Sequence, residues 1–128
     1  FLLPEGVAHL RDMGAVCVRR WRLLGLTPTG CRILAGEQVE AELLLAPGDC
    51  SLAGFSAETV VTYGLSPRDS ITLSSLTEPV LCVQRALPLA CGGVLEPQEF
   101  PMPGVSALQT LLPWVGVRLL WTGSPYPL

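Results

Sequence analysis

Leu43-Leu44-Leu45-Ala46 sets four apolar side chains in a row with no polar residue between them, and the run stops at Pro47-Gly48-Asp49. A strand with one wet face alternates apolar and polar residues. An unbroken run belongs to a strand covered on both faces, as in a parallel sheet. Pro-Gly-Asp is turn chemistry, because glycine and the aspartate side chain favour a reversal and proline ends the pairing. A second such segment, Thr59-Val60-Val61-Thr62-Tyr63, is closed by Gly64. The space between the two leaves room for a short crossover, so they are expected to lie side by side and parallel.

The flanking sequence supplies lesser elements. Glu5 to Met13 carries Val7, Leu10 and Met13 at helical spacing, with Gly14 as its stop. Ala15–Val18 has β character, and the stretch from Gly25 to Gly30 reads as turn. A short helix is expected over Cys31–Val39, with Ile33 and Leu34 facing inward; Ser51–Ala57 reads as a helical turn at most. Ser70–Ser74 alternates with a period of two, predicting a half-exposed strand. Val80–Gln84 and Val94–Phe100, joined around Cys91-Gly92-Gly93, predict a hairpin. Pro97, Pro101 and Pro103 confine its return arm to an edge or broken strand. Ser106 is the expected N-cap of a helix through Ala107, Leu108, Leu111 and Leu112, with Pro113 as its breaking point. Val115–Trp121 is compatible with strand or helix, and residues 124–128 read as a tail. The expected fold is therefore α/β: one domain over residues 1–128, a small mixed sheet with parallel strands, an antiparallel hairpin extension and a few short helices.

Composition narrows the chemistry. The chain has 128 residues, 49% hydrophobic and only 15% charged, with 12 Pro and 13 Gly, so it can bury a core and must turn often. All of its basic residues are arginine. Without lysine there is no phosphate-loop Lys and no Schiff-base amine. A net charge of −3 gives no basic field for nucleic acid. Arg19, Arg20 and Arg22 are the local exception, read as solvated charge with an anion patch as the alternative. Cys17, Cys31, Cys50, Cys82 and Cys91 lack metal-ligand or disulfide-framework spacing, which predicts free thiols and a cytoplasmic setting. No metal or other cofactor is expected. The most apolar stretch, 105–121, is interrupted by Gln109, Pro113 and Arg118, so no membrane partner is expected either. Phe1-Leu2-Leu3 is too short an apolar run for a signal peptide, although the absence of an initial Met leaves an upstream segment open.

The succession in residues 41–112 resembles the C-terminal half of the central domain of the Mur ligases, ATP-dependent enzymes that add amino acids to peptidoglycan precursors. A buried strand ends at an acidic turn (Leu43–Asp49). The next strand reads Val60-Val61-Thr62-Tyr63-Gly64. A polar stretch with an acidic residue (Asp69–Ser75), antiparallel strands (Val80–Pro103) and a helix from Ser106 follow. The resemblance implies a nucleotide near the acidic turn, with Asp49 and Gly64 as the matching positions. The family's glycine-rich phosphate loop with its Lys, and its metal-binding Glu/His region, have no counterpart here. Kinship would therefore imply a remnant that does not use ATP as those enzymes do.

Asp49 and Asp69 are candidate ligand-binding residues, because open α/β sheets place ligands at the carboxyl ends of their strands; Gly64 joins them as a position that the resemblance implies. The alternative for both aspartates is turn stabilisation. His9 is the only histidine, and Cys50 follows the acidic turn with no adjacent cation to activate it. Glu96 and Glu99 read as solvent-facing edge charges. No catalytic residue is assigned. The expectation is a non-catalytic interaction or ligand-binding domain working as a homo-oligomer or with a protein partner. The alternatives are a small enzyme using Asp49 and Asp69, or a fragment of a larger ATP-dependent ligase-like chain.

Overall fold

A computed structural model describes residue 17 and residues 20–74 and 78–126. The helix expected at Glu5–Met13 and His9 lie outside the described residues. Cys17 is helical, in contrast to the extended run expected around it.

Among the described residues, the backbone builds a mixed sheet with helix packed on both faces. The strands β1 (Arg20–Gly25), β2 (Val39–Pro47), β3 (Phe55–Tyr63) and β4 (Ile71–Leu73) lie in that order and are mutually parallel. The sheet continues antiparallel through β5 (Val80–Val83) to β8 (Gln98–Pro101), giving six strands. A separate two-stranded ribbon joins β6 (Leu87–Pro88) to β7 (Val94–Leu95) around Cys91-Gly92-Gly93. Two helices lie wholly among the described residues, α1 (Pro28–Ile33) and α2 (Leu108–Thr122). This is the expected α/β architecture, including the parallel pair that the apolar runs predicted.

The unbroken run in β2 has the physical basis inferred for it. Leu43 and Leu45 pack with α2, while Leu44 and Ala46 pack with α1, and all four are at most 5% exposed. The pleat slips one step earlier in the strand. Ala41 belongs to the α1-side cluster, but Leu43, two residues on, belongs to the α2-side cluster. The same change occurs between Trp21 and Leu23 and between Ala57 and Val61. The slip leaves Arg22, Glu42 and Glu58 exposed on neighbouring strands, where they border a shallow groove of about 180 Å³ under Pro88, Leu89 and Ala90.

Several local expectations are corrected. The turn expected over residues 25–30 instead starts α1, because Thr27 Oγ1 accepts from the Gly30 N–H (2.9 Å) and Pro28 opens the first turn. That shifts the helix expected at 31–39 toward the N-terminus; Leu34 is buried as anticipated, and Val39 already begins β2. Residues 51–57 form no helix. Residues 48–54 carry the whole return from β2 to β3, a connection shorter than the dozen or more residues usual for parallel neighbours. Cys50 and Leu52 pack on the α1-side cluster in place of a crossover helix. Ser70, Ile71 and Thr72 are all buried, so β4 is not the half-exposed strand its alternation suggested.

The expected hairpin return is divided: β7 pairs within the ribbon and β8 forms the sheet edge, the break falling at Glu96-Pro97. The Met102 N–H bonds the Pro79 carbonyl (2.9 Å), which sets the phase of the β5–β8 ladder. By the antiparallel alternation, the backbone N–H and C=O groups of Phe100 and Gln98 face β5, while those of Glu99 and the carbonyl of Pro101 face outward. Pro101 has no N–H to offer along that margin.

Ser106 does not cap α2. Ala107 occupies that position in the left-handed region (φ 54°, ψ 41°), and its carbonyl accepts from both the Thr110 N–H (3.0 Å) and the Thr110 hydroxyl (2.7 Å). Pro113 does not end the helix either. Leu112, Val115, Val117, Leu119 and Leu120 are buried against the sheet, and that burial outweighs the lost backbone bond. Val115–Trp121 is thereby helix. The tail is docked through residue 126: Pro125 is buried, the Tyr126 hydroxyl donates to the Pro101 carbonyl, and its ring meets Phe100 edge-on at 6.0 Å.

Candidate functional site: the strand-end corner

Three parallel strands end together, and short backbone bonds fix the loops that leave them. The Gly48 N–H donates to the Tyr63 carbonyl (3.0 Å) and the Gly64 N–H to the Ile71 carbonyl (3.1 Å). The Tyr63 hydroxyl donates to the Leu26 carbonyl at the end of β1 (2.6 Å). Asp69 reaches this corner from the loop before β4 and is 5% exposed. Its Oδ2 accepts from the Ser66 N–H (3.1 Å), while the Ser66 carbonyl accepts from the Asp69 N–H (3.0 Å). The Gln84 side chain donates to the Asp69 carbonyl (2.6 Å).

The carboxylate rests on two glycines. A β-carbon at Gly48 would overlap Asp69 Oδ1, and one at Gly64 would overlap Oδ2. Two of the candidate residues, Gly64 and Asp69, are therefore in direct contact. Asp49 stands next to Gly48 but is exposed on its turn. Gly48, Ser66 and Gln84 were not singled out as partners of Asp69. The Ser66-x-x-Asp69 spacing was the available signal, because it suits a reciprocal loop bond.

A second grouping lies on the α1 side of the same turn. Cys31 is buried in α1, and Cys50, half-buried on the turn after β2, packs against the same cluster. Burial first, then the neighbouring Cys50 thiol and the Asp49 carboxylate, push the Cys31 thiol up to about 12. Burial and the Glu37 carboxylate likewise raise Cys17. Raised thiols are protonated near neutrality and are poor nucleophiles. All five cysteines are free.

The remaining candidates are dispersed. Arg20 pairs with Glu58 (2.6 Å) and Arg22 more loosely with Glu42 (3.9 Å), all substantially exposed; Arg19 lies outside the described residues. Glu96 and Glu99 are exposed on the β7–β8 margin. Trp114 and Trp121 are 43% and 39% exposed on the outer face of α2. Among the described residues, no group of three or more His, Cys, Asp or Glu side chains could hold a metal ion, and no helix is long and apolar enough to cross a membrane. Against known proteins, the chain matches no family model, no curated protein and no solved structure.

Proposed function

We propose that this chain is a non-catalytic interaction or ligand-binding domain, built like a truncated Mur ligase central domain and working as a homo-oligomer or with a protein partner. One observation carries the non-catalytic reading. The Asp69 carboxylate is buried against Gly48, Gly64 and the Ser66 N–H, so it organises its own loop. A general acid or base must instead reach a proton on the substrate. The partner reading draws support from apolar side chains left in solvent, among them Leu65 beside the corner (60% exposed) and Trp114 on α2. The Mur-like reading draws on the order of elements: parallel strand, acidic turn, parallel strand, acidic loop, antiparallel strands, helix.

Two measurements test the proposal. Light scattering after size exclusion should give a mass above that of one 13.7 kDa chain, or pull-down should return a stoichiometric partner; a monomer that retains nothing counts against it. Titration of the ¹⁵N-labelled protein with Mg-ATP should leave the Gly48, Asp49 and Gly64 amides in place. Saturable shifts there, together with ATP turnover, would favour the enzyme instead.

A further inference from the structure

α2 carries a second stripe besides the one it buries. Leu108, Leu112, Val115 and Leu119 pack against the strands. Leu111, Trp114, Arg118 and Trp121 follow one another at spacings of three, four and three, which lines them up along the opposite side of the helix. Leu111 is half-buried and the other three are exposed. Six large hydrophobic side chains are exposed among the described residues, and three of them are aromatic residues around Arg118. Trp114 and Trp121 stand one turn to either side of it, and the Tyr126 carbonyl accepts from its guanidinium (3.3 Å). Among the described residues Arg118 makes no ion pair, and the sequence holds no aspartate or glutamate after Glu99.

We propose that this stripe is the docking face for an acidic amphipathic helix of a partner protein, which lays apolar side chains on Leu111, Trp114 and Trp121 and sets a carboxylate against Arg118. The inference rests on the interaction-domain reading above and adds the surface and the chemistry of the partner. Alternating spacings of three and four are those of a helix–helix seam, and the stripe runs roughly 15 Å, enough to seat one helix. Tryptophan and arginine are the side chains on which interface energy concentrates, because each joins a large apolar body to a polar end. A carboxylate answers the guanidinium with a charge-assisted bond, and Arg118 has only a carbonyl to give up for it. A second copy of this chain fits less well. A two-fold pair lays the face against itself, bringing Arg118 toward its own counterpart with no carboxylate between them. A lipid surface is also a poorer match, since helices that lie on anionic membranes are rich in cations and α2 carries one.

The test titrates the full chain with two synthetic amphipathic helical peptides that lack tryptophan, share a leucine stripe and differ only in carrying glutamate or lysine beside it. Tryptophan emission and calorimetry follow the binding. The glutamate peptide should bind with a single-site isotherm and a blue shift, and the lysine peptide at least about tenfold more weakly. Trp114→Ala should weaken the glutamate peptide by about tenfold or more. Arg118→Glu should lose the glutamate peptide and take up the lysine peptide, an exchange that unfolding does not produce; circular dichroism of both variants should match the parent. Equal binding of the two peptides, or binding of neither, overturns the proposal. So does saturable binding to vesicles of phosphatidylcholine with phosphatidylserine in place of the peptide, or self-association that Arg118→Glu abolishes. A partner retained in the pull-down that Trp114→Ala does not release leaves the interaction reading standing and overturns this assignment of its surface.

Discussion

Asp69 and Gly48 are packed so closely that the carboxylate oxygen Oδ1 occupies the space a β-carbon on Gly48 would need. The end of β2 and the loop before β4 thus hold each other in place, and the fit depends on a missing methyl group. Gly48→Ala should lower unfolding free energy by about 2 kcal/mol, the usual cost of overpacking. Asp69→Ala should cost about 1–3 kcal/mol by leaving the Ser66 N–H without its acceptor. The double variant should be more stable than the sum of the two losses predicts, by about 1 kcal/mol, because removing Asp69 removes the overlap. Urea denaturation of the four proteins checks this; strict additivity would mean that the two positions do not meet.

Gly116 makes the equivalent close approach in the core. A β-carbon there would lie 2.7 Å from Leu45 Cδ2, and Leu45 is fully buried. Alanine gains about 1 kcal/mol in helix propensity but faces a packing cost of about 1–3 kcal/mol. The packing term is the larger, so Gly116→Ala should destabilise by about 1 kcal/mol. A rise in melting temperature would show that α2 can lift away from the sheet without cost.

Ala107 is the one non-glycine residue with positive φ among those described. A left-handed alanine carries a penalty of roughly 1–2 kcal/mol that glycine does not. Ala107→Gly should therefore stabilise the protein by about 1 kcal/mol, read as an upward shift of the urea midpoint with unchanged slope. Ser106→Ala should have little effect, because Ser106 does not cap the helix.

Tyr126 ties the last described turn to the sheet edge. Tyr126→Ala removes an edge-on ring contact with Phe100 and a hydroxyl bond to Pro101, and should cost about 1–2 kcal/mol. Tyr126→Phe should recover the ring contribution alone. Thermal melts of the two variants separate the terms.

Cys31 should make stability fall at alkaline pH. Its thiol is held neutral up to about 12 in the folded protein, against an ordinary value of 9.0. The unfolded chain ionises first, so this contribution is complete below about pH 9 and disappears as pH climbs toward 12. Unfolding free energy measured across that range should drop less steeply in Cys31→Ala than in the parent.

The parallel core was legible because burial on both faces leaves a direct mark on composition, and Leu43–Ala46 carries it. The N-terminal half of β3 was not, since Ser56-Ala57-Glu58 has the polarity of a loop and is extended only through pairing with β2. Thr27-Pro28 reads equally well as a turn or as a helix start, which is why α1 was expected three residues too late. Pro113 speaks against a helix locally, but the burial that overrides it comes from strands far away in sequence. At the corner, Asp49 and Asp69 could be picked out from strand ends alone, whereas Gly64 came from the resemblance. That Asp69 turns inward onto Gly48 could not, because contact between two loops leaves no periodic trace.

Pro101 faces outward on β8 with no amide hydrogen, its carbonyl is already engaged by Tyr126, and Pro97 stands just before the strand. Between those two prolines Glu99 alone turns both an amide hydrogen and a carbonyl outward, so a further strand laid along this margin would find little to zip onto.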